Sequence, residues 1–255
     1  MKLSLRESGD AKGLPVVLLH AFPLSGAMWE PQLDALKSFR VLIPDFRGFG
    51  GTPLVAPWFI EHAVDDMYES LSSVGAEKAV LVGLSMGGYI ALRALEKFPA
   101  RVEALVLCDT RAEADANENK LKRAAAVDFV RARGTAPFVA PFLNDAFSEK
   151  TSTEKPQIVR FMRGIAEKSA PESLMSALAA LASRPDMTSA LPRITVPTCV
   201  IVGAQDKITP LALSESMRSR IPGAELHVIP DAGHFPNVEN PEAFNGRLVS
   251  FLSRL

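Results

Sequence analysis

The sequence predicts an α/β fold: a mostly parallel central sheet flanked by helices, interrupted by an inserted helical lid. Short apolar runs such as Pro15-Val16-Val17-Leu18-Leu19-His20 are continuous rather than alternating, as expected of strands covered on both faces. These runs alternate with stretches whose apolar residues recur at helical spacing, which is the pattern of a doubly covered sheet. Residues 112–190 hold no strand-like run and are rich in Ala, Lys, Arg and Glu. A connection of that length carries structure of its own. The expected division is therefore a core of residues 1–111 and 191–255, with the lid at 112–190.

The elements follow in order. After the strand ending at His20, Met28, Trp29, Leu33 and Leu36 predict a helix over Ser25 to Ser38. Arg40-Val41-Leu42-Ile43-Pro44 is the next strand. Gly48, Gly50, Gly51 and Pro53 mark a loop, and Phe59 to Val74 a helix. The run Lys78 to Val82 is a strand and Tyr89 to Lys97 a helix, followed by a buried strand over Val102 to Cys108. Within the insertion, helices are expected to break at Gly134, Pro137, Pro141, Pro156 and Pro171. Strand character returns at Val196 to Val202. A helix at Pro210 to Arg220, a strand at Glu225 to Ile229 and a helix from Pro241 to Leu255 complete the chain.

Composition narrows the function. Apolar residues make up 47% of the chain, enough for a sizeable core, and the formal net charge of -1 argues against a dedicated nucleic-acid binder. Cys108 and Cys199 both fall in apolar runs and read as buried thiols. The N-terminal residues lack the apolar stretch of a signal peptide, and no run reaches the ~18–20 apolar residues of a membrane span. A soluble cytoplasmic protein, with no membrane partner, is the expectation.

The most informative segment is Gly83-Leu84-Ser85-Met86-Gly87-Gly88. It is a G-x-S-x-G between a strand-like and a helix-like run, so Ser85 is expected on a tight turn with its hydroxyl clear of the sheet. The helix N-terminus behind it favours developing negative charge. In other settings the same glycines would only let a helix pack closely on a sheet. A serine nucleophile needs a base, and the base needs an orienting acid. Asp206 and His234 each directly follow a predicted strand, in Gly203-Ala204-Gln205-Asp206 and Asp231-Ala232-Gly233-His234. Asp206 is the favoured acid. Asp109 is a rival, because it too follows a strand, and a turn or helix-capping aspartate is the bland alternative for Asp206.

Acyl transfer also needs N–H donors for an oxyanion. The backbone of Met86 is one candidate. The other is Phe22, in the loop after the first core strand, since Pro23 has no N–H and restricts Phe22 to extended backbone. His20 reads as a loop-fixing residue, and His62 and His227 as surface or packing residues. Asp45-Phe46-Arg47-Gly48-Phe49-Gly50 lacks the spacing of a phosphate loop and reads as a turn in which Asp45 and Arg47 tie loops together. No metal-ligand motif is present, so no metal and no cofactor are expected.

These motifs, with His20-Ala21-Phe22-Pro23, resemble those of the α/β-hydrolase superfamily over essentially the whole chain. The nearest resemblance is to small cofactor-free esterases, namely arylesterase/perhydrolase enzymes and enol-lactonases of 3-oxoadipate type. Pro23 to Glu30 is similar to the first subgroup, although Ala21 stands where those enzymes often carry glycine. Ser85 counts against haloalkane dehalogenases, which use aspartate there. The resemblance implies a carboxylic ester hydrolase acting on a small or medium acyl or aryl ester, with lactone hydrolysis or perhydrolysis as alternatives. A slow ligand sensor of the same fold is a reading from another class. The lid phenylalanines are expected to cover an apolar pocket.

Overall fold

The computed structural model describes all residues 1–255. Its sheet has seven strands in the order β1-β3-β2-β4-β5-β6-β7. In chain order these are β1 (Ser4–Gly9), β2 (Pro15–Leu19) and β3 (Arg40–Asp45), then helix α1 (Ile60–Ser73), β4 (Ala79–Leu84), α2 (Met86–Lys97) and β5 (Val102–Cys108). Helices α3 (Asn117–Arg133), α4 (Thr135–Ala146), α5 (Glu149–Glu154), α6 (Pro156–Ala166) and α7 (Pro171–Ala182) make up the insertion. The core resumes with β6 (Thr198–Gly203), α8 (Leu211–Arg220), β7 (Glu225–Ile229), α9 (Pro236–Glu239) and α10 (Pro241–Leu252).

Every pair from β3 to β7 is parallel, and β1 alone runs antiparallel, against β3. Strands β4 and β6 are buried along their whole length, which explains why their sequences show no alternation. The parallel arrangement brings the loops after β2, β4, β5, β6 and β7 to one edge, where open α/β sheets bind ligands.

Three local expectations need correction. Ser25 to Ser38 is not an α-helix: Gly26–Gln32 is a 3₁₀ segment and turns follow it. Pro31 removes a backbone donor inside that segment, although Met28, Trp29 and Leu36 are buried as their spacing implied. Neither Pro137 nor Pro141 breaks α4: Pro137 lies in the first turn, where its missing N–H has no intrahelical acceptor, and Pro141 sits on the exposed side and forfeits a single N–H bond. Strand β1 was not anticipated, because an edge strand of largely exposed, charged residues has no apolar run to mark it. Pro156 and Pro171 do open helices, at the first turn where proline costs nothing.

Candidate active site

Ser85 sits between β4 and α2 at φ 53°, ψ −111°, a conformation that side chains other than glycine rarely hold. Its backbone is fixed on both sides. The Ser85 N–H donates to Cys108 O at 2.9 Å, and Thr110 Oγ1 donates to Ser85 O at 2.8 Å. The flanking glycines are sterically required. A Cβ on Gly83 would lie 2.3 Å from Gly87 O, and one on Gly87 would lie 2.2 Å from Leu19 O. The motif therefore packs β4, α2 and the end of β2 together at the point where the hydroxyl emerges.

Asp206 and His234 meet across the ends of β6 and β7. His234 Nδ1 lies 2.9 Å from Asp206 Oδ2, with both side chains buried. Asp206 Oδ1 accepts the N–H groups of Ile208 and Thr209 at 2.8 and 3.0 Å, and Thr209 Oγ1 donates to Oδ2 at 2.5 Å. Burial alone would raise the Asp206 pKa. The neighbouring imidazole and the Thr209 donors outweigh it and hold the carboxyl well below the usual carboxylate range. A charged Asp206 accepts the Nδ1 proton, which leaves Nε2 as the basic nitrogen of His234.

Asp109, at the end of β5, is also fully buried and has a positive φ of 42°. Its Oδ1 accepts Gly203 N–H at 2.8 Å, and its Oδ2 has no hydrogen-bond partner. Oxygens of both aspartates and a ring nitrogen of His234 all lie within 4.8 Å of one another. Burial, then the charge of Asp206, pushes the Asp109 carboxyl well above the ordinary range and favours its neutral form. The acid in contact with His234 is Asp206.

The backbone N–H groups of Phe22 and Met86 donate to no group in the protein, although both residues are buried. The peptide between Phe22 and Pro23 is cis. His20 anchors the loop below. Its Nε2 accepts Phe46 N–H at 3.0 Å, so Nδ1 carries the proton and donates to Ala21 O at 3.0 Å. Burial lowers its pKa and keeps the ring neutral. Asp45 accepts from Gly26 and Gly51 at 2.7 and 2.8 Å, and Arg47 pairs with Asp66, so this loop is tied as a structural turn. Cys108 and Cys199 are buried free thiols.

Sequence reasoning missed two supports. Thr209 is one. The other is Glu239 on α9, fully buried, whose Oε1 accepts Gly233 and Phe235 N–H at 2.9 and 3.2 Å and whose Oε2 accepts Ser148 N–H at 2.8 Å. His234 N–H donates to Ala146 O at 2.7 Å. The insertion thus grips the histidine loop from both sides. Position five residues beyond His234 was the only signal for Glu239, and a lone acidic residue after a proline marks nothing by itself.

A family model described as the alpha/beta hydrolase family matches residues 16–247. The chain belongs to the alpha/beta hydrolase family. It is 30% identical to 3-oxoadipate enol-lactonase 1 of Acinetobacter baylyi, over 95% of this chain and 90% of that hydrolase. A thermophilic esterase from Thermogutta terrifontis, solved with malate bound, superposes with a TM-score of 0.95 at 37% identity, over 99% of this chain and 93% of that one. The enol-lactonase from Burkholderia xenovorans LB400 gives a TM-score of 0.91 at 28% identity, over 98% and 96%. No helix of this hydrolase is long and apolar enough to cross a membrane.

Above the site, Phe22 packs edge-on against Phe138 and Phe142 of α4, with ring centroids 6.2 and 6.1 Å away. These rings form one wall of a cavity of about 290 Å³ between core and insertion. The expectation of an apolar cover holds for half of that wall. Phe147 is buried against Phe235, and Phe129 and Phe161 are exposed on the outside. The rest of the lining mixes apolar side chains with four cations, Arg111, Lys122, Arg123 and Arg184, and α3 presents Asn119, Lys122, Arg123 and Ala126 to the cavity at i, i+3, i+4 and i+7, one face of the helix.

Proposed function

We propose that this chain is a serine hydrolase that cleaves carboxylic esters through an acyl-enzyme. Ser85 attacks the acyl carbon as His234 Nε2 takes its proton. Asp206 orients the ring and stabilises the imidazolium. The N–H groups of Phe22 and Met86 bind the oxyanion. His234 then protonates the leaving alkoxide, and a water activated by the same ring releases the acid and regenerates Ser85. Residues 112–190 act as the lid that shapes access to this site.

The observation that carries this reading is the meeting of three independent features at one sheet edge. These are a strained serine at a helix N-terminus, a buried His–Asp pair following in chain order, and two unspent N–H donors. A transient oxyanion beside Ser85 gives all three a common purpose. The test is turnover of short p-nitrophenyl esters with burst kinetics. Ser85→Ala is expected to lose roughly 10⁴–10⁶-fold in kcat. Equal, slow hydrolysis by wild type and variant would instead mark a ligand sensor.

Lactone opening is the second reading, favoured by the full-length similarity to 3-oxoadipate enol-lactonase 1. A lactone is a cyclic ester, so the same steps apply and the leaving alkoxide stays attached to the acyl group. A panel of short esters and five-membered lactones, compared by kcat/KM, separates the two.

A further inference from the structure

The cavity beside Phe22 carries more positive charge than its own carboxylates neutralise. Arg111, Lys122, Arg123 and Arg184 line it, against Asp115 as the single acid. Asp115 is already spent. Arg184 Nη1 pairs with its Oδ1 at 2.8 Å and Arg123 Nε with its Oδ2, so one carboxylate serves two guanidinium groups. Arg184 has a second employment: its Nη1 and Nη2 donate to Leu181 O and Glu113 O, each at 3.0 Å, and it stacks on Tyr89 at 4.4 Å. It is part of the frame.

Arg111 is different. It makes no ion pair; its Nη2 donates to Ile208 O at 2.7 Å, and its Nε–H, like that of Arg184, is buried without an acceptor. Lys122 pairs with Glu118 one turn back on α3, and Glu118 does not line the cavity. A half-enclosed guanidinium without a counter-charge is costly unless a ligand supplies one. A planar carboxylate matches a guanidinium fork better than any neutral group.

The cavity's location decides what carries that carboxylate. Phe22 contributes its ring to the apolar wall and its N–H to the proposed oxyanion position. Ile208, which touches Arg111, donates to the carboxylate of Asp206. The cationic wall and the reacting centre are therefore separated by an aromatic surface shared by both. We propose that Arg111, assisted by Lys122 and Arg123, forms a subsite for a carboxylate on the substrate. The substrate class is then a half-ester of a short dicarboxylic acid, with an apolar spacer lying on Phe22, Phe138 and Phe142.

This assignment rests on Ser85 being the nucleophile. For a half-ester the balance is simple. The Ser85 Oγ–acyl bond forms, the alkoxide leaves with the proton from His234, and one water yields the dicarboxylate, the alcohol and free Ser85.

The test compares monomethyl glutarate with methyl pentanoate, which differ by a carboxylate in place of a methyl group. Wild type is expected to prefer the acidic ester by ~10-fold or more in kcat/KM, a preference that weakens as salt is raised. Arg111→Gln is expected to erase most of that ratio, and Arg111→Lys to keep part of it. Glutarate binding to the wild-type protein, measured by calorimetry, should vanish in Arg111→Gln. If Arg111→Gln does not fold, Lys122→Gln replaces it, and a preference unchanged by that variant and by salt overturns the subsite. So does the absence of a preference in wild type, or a loss that falls equally on both esters. Inorganic phosphate binding as tightly as glutarate overturns the carboxylate assignment. Glutarate binding with neither ester turned over would sink the hydrolase reading and leave the subsite standing. Ester turnover without acidic preference does the reverse.

Discussion

Asp206 and Asp109 occupy equivalent places in the fold and opposite places in its chemistry. Each follows a parallel strand, β6 and β5, and each is buried at the same sheet edge. Asp206 receives two backbone N–H groups, a hydroxyl and an imidazole. Asp109 receives one N–H and faces its charged neighbour. Burial pushes both carboxyls up, and the imidazole and Thr209 donors that offset it at Asp206 have no counterpart at Asp109, so Asp206 is the one that stays ionised. Two carboxylates this close, in so dry a place, favour one charge between them, and the structure allots it to the acid that touches His234.

The comparison is tested most severely by removing each charge in turn. Asp206→Asn is expected to cost roughly 10⁴-fold in kcat, because an amide cannot stabilise the imidazolium and permits the wrong tautomer. Asp109→Asn keeps the shape and replaces one neutral group by another, so its kcat should stay within ~10-fold of wild type. Stopped-assay kcat values on one short ester suffice. A collapse confined to Asp109→Asn would reverse the roles of the two acids.

Glu239 sharpens the same point at a third buried carboxylate. It accepts three backbone N–H groups and bonds to no side-chain partner. Glu239→Ala would strand those donors in the interior and is expected to cost about 3 kcal/mol or more by denaturant unfolding. Glu239→Gln keeps acceptor capacity on one oxygen only and should lose less. Equal stability of wild type and Glu239→Ala would mean that water replaces the carboxylate there at no cost.

What the chain discloses before folding follows from how each residue is recognised. Ser85 is legible because two glycines, each forced by a backbone atom within 2.3 Å, must flank it. His234 and Asp206 are legible because parallel strands deliver their C-terminal ends to one edge, so a polar residue just past an apolar run is already half placed. Thr209 and Glu239 act through hydrogen bonds that exist only after the loops close, and their residue types are common in any turn. Arg111 is hidden for a related reason. Its importance is the absence of a counter-charge, while Arg123 and Arg184 share Asp115 across eight and 69 residues of chain. The failed helix at Ser25 to Ser38 shows the converse: spacing reported burial correctly and conformation incorrectly, because Pro31 forbids one and not the other.

Thr209 offers a finer probe of the donors that hold Asp206 ionised. Thr209→Val removes the 2.5 Å hydroxyl contact while both N–H bonds to Oδ1 remain. Kcat is expected to fall by about 10-fold, the worth of one hydrogen bond to a charged group, and Thr209→Ser should restore it. An undiminished Thr209→Val would show that the backbone donors suffice.

The smallest effect, and the one most specific to the pair, is the dependence of stability on pH. The Asp109 pKa is raised above 3.8 in the folded protein, so the folded state keeps a proton that the unfolded chain releases. Stability from this group is therefore fully present below that value and declines as pH rises toward the raised folded pKa. Asp206 runs the other way: its pKa is depressed, so its contribution is present above 3.8 and is lost as pH falls through the folded value. Asparagine at 109 has no proton to lose. Relative to wild type, Asp109→Asn should gain thermal stability progressively as pH rises above about 4 and gain nothing at the acid end. Asp206→Asn should show the opposite slope near pH 4, its deficit shrinking as the solution becomes more acidic. A constant offset at every pH for either variant would mean that the two carboxyls titrate alike in folded and unfolded chains, and that the contrast between them is one of position alone.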